Sequence, residues 1–554
     1  MIKIFTVREM VAAEKAADAA GVSYEEMMEN AGRSVAEAIM DRTPVTDRQI
    51  TVLVGPGNNG GDGLVAGRYL AEAGAQVTFY LFKERSAEAD PNMAKVLEMG
   101  LPVIIFDHDQ RYRVLRTRIH VTDILIDALL GTGVSRPIKG ELAKVMGQVQ
   151  ASLDERARLV AGKNRPDLIA ITSLENNIPG GMDQEIIAGK SDRNTPTSNP
   201  IIVAIDCPSG LNCDTGELDV LALPAALTIT FAGPKRGHFL FPGATACGEI
   251  VVADIGIGSD LPEITEVPVE LATAEMVRTF LPERRRDGHK GTFGWVLIAA
   301  GSARYWGAPA LAGRAAYRSG AGLVALAVPA QIRPALAILL PEATFPIVAG
   351  DDLLTEQSAL TLFEEMKSYE ALLIGPGLHT ALTFMETLFD SPQDALPPMV
   401  IDADGLNLLA GMPNWADRLP SNTVLTPHAG EMARLMGVSL ETMRTRDRIE
   451  LARDKAAEWG CTVLLKGAFT VIAGADGRCV LLPFANPALA TAGSGDVLSG
   501  VILGLLGQGV LPFEAAVLGG FLHAAAADLA GVDAGLLATE IADWVVEALD
   551  ALRG

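Results

Sequence analysis

The sequence predicts an α/β protein of two domains, each a mainly parallel sheet with helices on both faces in three layers. Three observations carry this. The chain has 554 residues, more than one ordinary core accommodates. Short apolar runs rich in β-formers alternate with helical stretches, the rhythm of a parallel sheet wound with helices. Glycine-rich turns stand where strands hand over to helices.

The elements follow in chain order. Residues 8–40 show helical periodicity. The strand TVLVG (51–55) leads through a glycine-rich loop to a helix from about 64 to 74, and QVTFYLF (76–82) is the next strand. DILIDALLG (123–131), IIVAIDCPSG (201–210), ALTITFAG (226–233) and EIVVADIGI (249–257) complete a first domain of residues 1–260. Residues 151–200, with GKNRPD, ENNIPGGMD and SDRNTPTSNP, are too long and too rich in turn formers for an ordinary loop and read as an insertion. Gly189-Lys190-Ser191 within it is no P-loop, because Gln184 stands where the upstream glycine is required. A stretch around 258–275 with prolines and acidic residues is the expected linker. A second domain of residues 273–554 then repeats the rhythm: WVLIAAG (295–301), LVALAVP (323–329), ALLIGPG (371–377), MVIDADG (399–405), TVLTPHAGE (423–431), TVLLKG (462–467) and FTVIAG (469–474), with an Ala-rich helical end.

Composition narrows the function classes. A formal net charge of −23 argues against a general nucleic-acid binder, whose affinity rests on Lys and Arg. Cysteines 207, 213, 247, 461 and 479 show neither CxxC nor zinc spacing, which fits reduced thiols in a cytosol. Residues 1–21 carry charges throughout, so no signal peptide is expected, and the apolar stretch 497–507 is too short for a membrane span. A cytoplasmic protein without membrane partners is expected.

In the first domain the loop Gly55-Pro56-Gly57-Asn58-Asn59-Gly60-Gly61-Asp62-Gly63 joins strand to helix, where backbone amides favour an anion. It satisfies GxGxxG, but the next strand ends at Phe82-Lys83 and not on the acidic residue a dinucleotide dehydrogenase wants. A tight structural turn is the plain alternative. Two more candidate sites fall at strand ends: Asp127 with Gly131–Pro137, and Asp206-Cys207-Pro208-Ser209-Gly210. Asn59, Asp127, Asp206 and Ser209 are hard oxygen donors, a set able to hold an alkali cation beside a phosphate. Taken singly, each Asp reads as a turn cap.

In the second domain Gly493-Ser494-Gly495-Asp496 precede an apolar helix. Their amides suit a phosphoryl group in transfer, and Asp496 is placed to take the proton of an attacking hydroxyl. Asp496 as a plain N-cap is the structural alternative. Lys466-Gly467-Ala468-Phe469-Thr470 joins two strands and suits a nucleotide phosphate, or is simply a hairpin turn. Gly375-Pro376-Gly377, Asp402-Ala403-Asp404-Gly405 and Pro427-His428-Ala429-Gly430-Glu431 end three strands on one sheet edge, and Gly301–Ala308 offers a further phosphate loop.

MMENAGRSVAE (27–37), VGPGNNGGDG (54–63), Asp127 with its GTG, and DCPSG (206–210) together resemble the NAD(P)HX epimerase family. The resemblance implies a Rossmann-like domain binding hydrated nicotinamide dinucleotide, NADHX or NADPHX, with potassium. It implies substrate contacts from Asn58, Asn59, Gly60, Gly61 and Asp62, from Gly131, Thr132, Gly133, Val134, Ser135, Arg136 and Pro137, and from Asp206, the candidate proton-transfer group. Asn59, Asp127 and Ser209 match the family's potassium ligands. Cys207 departs from it, standing where an aliphatic residue is usual, and the 151–200 insertion lengthens the path between two site loops.

GSGD after a lysine–glycine strand turn resembles the ribokinase-like superfamily. GHKG (288–291), GSARYWGA (301–308), DADGLNLL (402–409), TPHAGEMARL (426–435) and NPALATAGSGD (486–496) narrow the resemblance to the NAD(P)HX dehydratases. This implies that Gly322, Gly377, His428 and Asp496 contact the dinucleotide. It also implies that Lys466, Gly467, Ala468, Phe469, Thr470 and Gly495 contact the phosphate donor, ADP or ATP with Mg2+. The expected function is repair: epimerisation of R- and S-NAD(P)HX, then dehydration through phosphorylation and phosphate elimination, in a homo-oligomer. The alternative is a ribokinase-like small-molecule kinase fused to a non-catalytic dinucleotide-binding module.

Overall fold

The computed structural model describes residues 2–134, 136–163, 198–392 and 396–554. The chain forms two compact units, Ile4–Val267 and Met1–Lys3 with Pro268–Gly554.

The unit Ile4–Val267 is built on a seven-stranded, wholly parallel sheet. Counting from Gln49–Val54, the strands are Gln76–Leu81, Val103–Ile105, Ile124–Ala128, Ile201–Ile205, Leu227–Phe231 and Glu249–Ala253, and their spatial order is 3-2-1-4-5-6-7. Val52 and Val54 face one core with Met27, Val35 and Leu64, while Leu53 faces the other with Tyr80, Leu115 and Val145. This period-two alternation inside one strand is what lets helices cover both faces. The order reverses between the first and fourth strands, and ligands of open α/β sheets bind in the crevice at the strand ends there.

The sequence reading missed the strand Val103–Ile105, and three further features differ from it. The helix expected from about 64 begins at Asn58 and runs to Glu72. Its glycines disfavour helix by propensity, yet they are what packing demands. A Cβ at Gly60 would stand 2.1 Å from Gly55 O, at Gly61 2.6 Å from Met28 Sδ, and at Gly63 2.7 Å from Ala128 Cβ. The expected insertion starts later than residue 151, because SLDERARLVAGK is rich in helix formers and continues the helix Gly140–Lys163. The rest of it, 164–197, lies outside the described residues, as does Ser135. The expected linker is structured: it holds the helix Pro262–Thr265 and the strand Val269–Leu271.

The second unit has a ten-stranded mixed sheet. Leu323–Ala327, Trp295–Ala299, Ala371–Ile374, Met399–Ile401, Thr423–Leu425 and Thr462–Leu465 run parallel in that spatial order. Val471–Ala473 and Cys479–Leu481 follow antiparallel, then Val269–Leu271, with Ile2–Lys3 at the edge. The buried apolar helices Ser494–Gly507 and Pro512–Leu529 belong to its core. All five cysteines are buried and none forms a disulfide. Among the described residues no helix is long and apolar enough to cross a membrane.

Candidate functional site

Each unit carries a site at the carboxyl ends of its parallel strands. In the first, a cavity of about 790 Å³ is lined by Asn58, Asn59, Asp62, Gly131, Thr132, Gly133, Val134, Arg136, Pro137 and Asp206. The Asn58–Glu72 helix starts at this cavity, and its N-cap, Gly57, supplies no side-chain cap. Its first amides therefore remain for a ligand. Gly60 and Gly61 lie one layer back, against Gly55 and Met28. Arg85 braces the loop, donating to Gly55 O at 2.9 Å and Gly57 O at 3.1 Å.

The three candidate cation ligands are linked by hydrogen bonds through Leu130. Ser209 Oγ donates to Asp127 Oδ1 at 2.6 Å and accepts from Leu130 N at 2.9 Å. Asn59 Nδ2 donates to Leu130 O at 2.9 Å. Asn59 Oδ1 is buried and has no hydrogen-bond partner among the described residues. Asp127 is wholly buried. Burial raises its carboxyl above the ordinary range, opposed by hydrogen bonds from Ser209 and Leu129.

Asp206 takes a left-handed backbone at φ 63, a strained conformation for a residue with a side chain. Its carboxylate accepts from Lys235 Nζ at 2.5 Å and from Thr230 Oγ1 at 3.0 Å. Burial alone would raise Asp206, but the Lys235 ammonium beside it outweighs burial and holds it below the ordinary carboxylate range. Glu14, on the helix Val7–Ala19, lines the same cavity. Sequence reading missed Lys235, Glu14 and Arg85. The signal for Lys235 was a lysine in the Gly-Pro-Lys turn that ends a buried strand.

In the second unit, the ends of Ala371–Ile374, Met399–Ile401, Thr423–Leu425 and Thr462–Leu465 deliver Gly375, Asp402, His428 and Lys466 to one edge. Lys466 Nζ donates to Asp402 Oδ1 at 2.7 Å and lies 3.7 Å from Glu431 Oε2. Burial disfavours the charge on Lys466, but Asp402 and Glu431 outweigh it and raise its pKa. Asp402 is 1% exposed, and its Oδ2 has no hydrogen-bond partner among the described residues. A Cβ at Gly495 would come 3.4 Å from Lys466 Nζ and 3.8 Å from Asp402 Oδ2, so glycine there leaves the cation open.

Burial, then the Asp402 charge, pushes Asp496 up to about 7 against the pull of Lys466. Burial likewise pushes Glu431 up to about 7. The N-cap of the Ser494–Gly507 helix, Gly493 at φ 86, again supplies no side-chain cap; the Ser494 amide donates to Thr491 O at 3.3 Å, and the Gly495 and Asp496 amides stay open. A cavity of about 560 Å³ is lined by His428, Lys466, Gly467, Ala468, Thr470 and Gly495. Phe469, left-handed at φ 53, is not part of its wall. His428 caps its own helix, Nδ1 accepting from Gly430 N at 2.9 Å.

Gly377 is on this edge, at φ 70, where a Cβ would stand 2.7 Å from Tyr305 Cβ. Gly322 is not. It precedes the strand Leu323–Ala327, and a Cβ there would stand 1.8 Å from Lys290 O, so the opposite sheet edge needs this glycine for packing. His523, missed by sequence reading, lines the second cavity and sits 3.0 Å from Ser494 Oγ, with burial pushing its pKa down to about 4.

Two family models match the chain: NAD(P)H-hydrate dehydratase over residues 296–546 and YjeF-related protein N-terminus over residues 24–237. The bifunctional NAD(P)H-hydrate repair enzyme Nnr of Thermofilum pendens is 35% identical over 562 residues, covering 100% of this chain and 97% of that protein. Its counterpart in Moorella thermoacetica is 36% identical over 529 residues, covering 94% and 91%. The crystal structure of an ADP/ATP-dependent NAD(P)H-hydrate dehydratase from Bacillus subtilis, co-crystallised with ATP/Mg2+, is 34% identical with a TM-score of 0.44, covering 51% of this chain and 99% of that one.

Proposed function

The chain belongs to the family of bifunctional NAD(P)H-hydrate repair enzymes, and from that premise we propose how its two sites divide the work. The first unit interconverts the R and S epimers of NADHX and NADPHX, which differ at C6 of the hydrated nicotinamide ring. The second dehydrates the S epimer. The observation that carries this reading is the Asp496 carboxyl set beside open helix amides and the Lys466 cation.

In the second unit Asp496 takes the proton of the 6-hydroxyl as its oxygen attacks the terminal phosphorus of ADP or ATP. Lys466 and the Ser494–Gly507 amides face the charge that gathers on the phosphoryl oxygens. Phosphate then leaves C6, a proton leaves C5, and the ring double bond is restored. Lys466, Gly467, Ala468, Phe469, Thr470 and Gly495 are the proposed donor contacts, with Gly377, His428 and Asp496 toward the dinucleotide. Asp402 Oδ2, buried and without a hydrogen-bond partner among the described residues, fits Mg2+, which binds through one or two carboxylates plus substrate phosphates and supplies charge to them.

In the first unit Asp206, kept ionised by Lys235, is the proton-transfer group. Asn58, Asn59, Asp62, Gly131–Val134, Arg136 and Pro137 form the wall for the dinucleotide. Asn59 Oδ1, Asp127 and Ser209 fit a potassium ion, a weakly hydrated cation that accepts neutral oxygens and supplies positive charge beside the phosphates. Incubation with mixed NADHX epimers plus ADP or ATP tests the whole reading. Restored NADH absorbance with release of inorganic phosphate is expected. A stable phosphorylated product with no NADH would establish the small-molecule kinase instead.

A further inference from the structure

Asp62 has no part in the chemistry above beyond contact. It lies in the Asn58–Glu72 helix, is 9% exposed, and lines the cavity that Asp206 also lines. Asp127 is held by Ser209 and Leu129, and Asp206 by Lys235 and Thr230. Among the described residues no donor is bonded to the Asp62 side chain. A carboxyl buried to this degree without a protein partner, and open to a ligand cavity, is available to a ligand.

The groups that face it are Glu14 on Val7–Ala19, Arg85 beyond Gln76–Leu81, Asp206 beyond Ile201–Ile205 and Lys235 beyond Leu227–Phe231. Burial, then the charges of Asp206 and Glu14, holds Asp62 well above the ordinary carboxylate range, while Lys235 holds Asp206 below it. The strands that lead to Asp62 and Asp206 are separated by Ile124–Ala128. Their axes are thus about 10 Å apart, at about 4.8 Å per step. The two carboxyls reach the same cavity from different elements, one raised above the ordinary carboxylate range and one held below it. Pairs whose environments diverge in this way divide acid and base roles.

We propose that Asp62 is a second catalytic residue of epimerisation, the acid that works against the Asp206 base; this rests on the epimerase reading of the first unit. C6 of the hydrated ring carries a hydroxyl and is bonded to N1. Asp62 gives its proton to that hydroxyl as the C6–O bond breaks. The bonding pair leaves with oxygen as water, and the N1 lone pair closes a C6=N1 double bond. Water on the opposite face adds to C6, N1 recovers its pair, and Asp206 takes the proton of the added water. Asp62 ends ionised and Asp206 protonated, the state that runs the reverse epimerisation.

Asp62→Asn keeps the shape of the side chain and removes its transferable proton. Interconversion of the separated epimers is expected to fall at least about a hundredfold, with KM for the epimer held within about threefold. S-epimer dehydration by the second unit stays as in the parent protein. In heavy-oxygen water the unaltered protein is expected to place one solvent oxygen on C6 per interconversion, a measurement independent of how the variant folds. Retention of the original oxygen, or a folded variant with near-normal interconversion, would overturn the proposal. If the unaltered protein leaves pure R epimer unconverted, the epimerase reading itself falls, and the acid role of Asp62 falls with it.

Discussion

Replacing Asp496 by Asn changes one atom at the start of the Ser494–Gly507 helix and leaves the glycine turn before it untouched. A general base contributes about 10²–10⁴-fold, which is about 3–5 kcal/mol of barrier at about 1.4 kcal/mol per tenfold. With Asp496 pushed up to about 7, the ionised base is the minority form in mild acid. Dehydration in the parent protein is therefore expected to rise about tenfold per pH unit below 7 and to level off above it. The residual rate of the Asn variant should lack that limb.

Stability runs the other way. Because the folded pKa lies above the ordinary 3.8, the native state binds more protons than the unfolded chain between 3.8 and about 7. Stability then falls as pH rises through that window, and the deficit is complete above it. The Asn variant, which cannot ionise, is expected to unfold at a higher temperature than the parent in mild alkali. The assay is S-NADHX with ADP across the pH range, followed by NADH absorbance, with thermal unfolding and nucleotide binding measured on the same samples. Turnover of the variant within tenfold of the parent, or a parent profile flat below neutrality, would refute the base assignment.

Lys235→Met leaves the Asp206 carboxylate buried without its cation, and breaking such a pair costs about 3–5 kcal/mol. Denaturant unfolding should register that loss, and epimer interconversion should fall with it; an unchanged midpoint would show that the pair is not holding the site. Asp127→Ala removes the carboxylate from the Asn59–Asp127–Ser209 set. Interconversion and its dependence on potassium should both disappear while S-epimer dehydration persists, and a potassium response that survives would count against the ligand set.

The α/β class and the positions of most strands along the chain were legible because most strands are largely apolar runs whose ends carry polar residues. The candidate site residues were legible for the same reason, since Asp127, Asp206, Asp402, His428 and Lys466 all follow such runs. What stayed hidden depends on neighbours distant in the chain. The helix start at Asn58 opposed local propensity because Gly60, Gly61 and Gly63 answer to Gly55, Met28 and Ala128 rather than to their own sequence. Lys235 gains meaning only from Asp206, 29 residues away. Gly322 was assigned to the dinucleotide from its motif, yet its place before a strand puts it against Lys290 on the far edge. Spacing along the chain carries no information about which end of a sheet a turn occupies.

The edge strand Ile2–Lys3 has a consequence for anyone who would cut the protein in two. It pairs antiparallel with Val269–Leu271, and Lys3 Nζ reaches Glu270 Oε1 at 2.8 Å, while the residues from Ile4 onward belong to the other unit. The second unit is therefore not a single uninterrupted piece of polypeptide, whereas Ile4–Val267 is. A truncation beginning at Pro268 would strip that strand and leave the hydrogen-bonding rim of Val269–Leu271 bare, the kind of surface that recruits strands from other molecules. Expressed alone, the dehydratase half would trade an intramolecular seal for a tendency to aggregate. Supplying the lost residues through a short tether ahead of Pro268 is the repair the topology suggests.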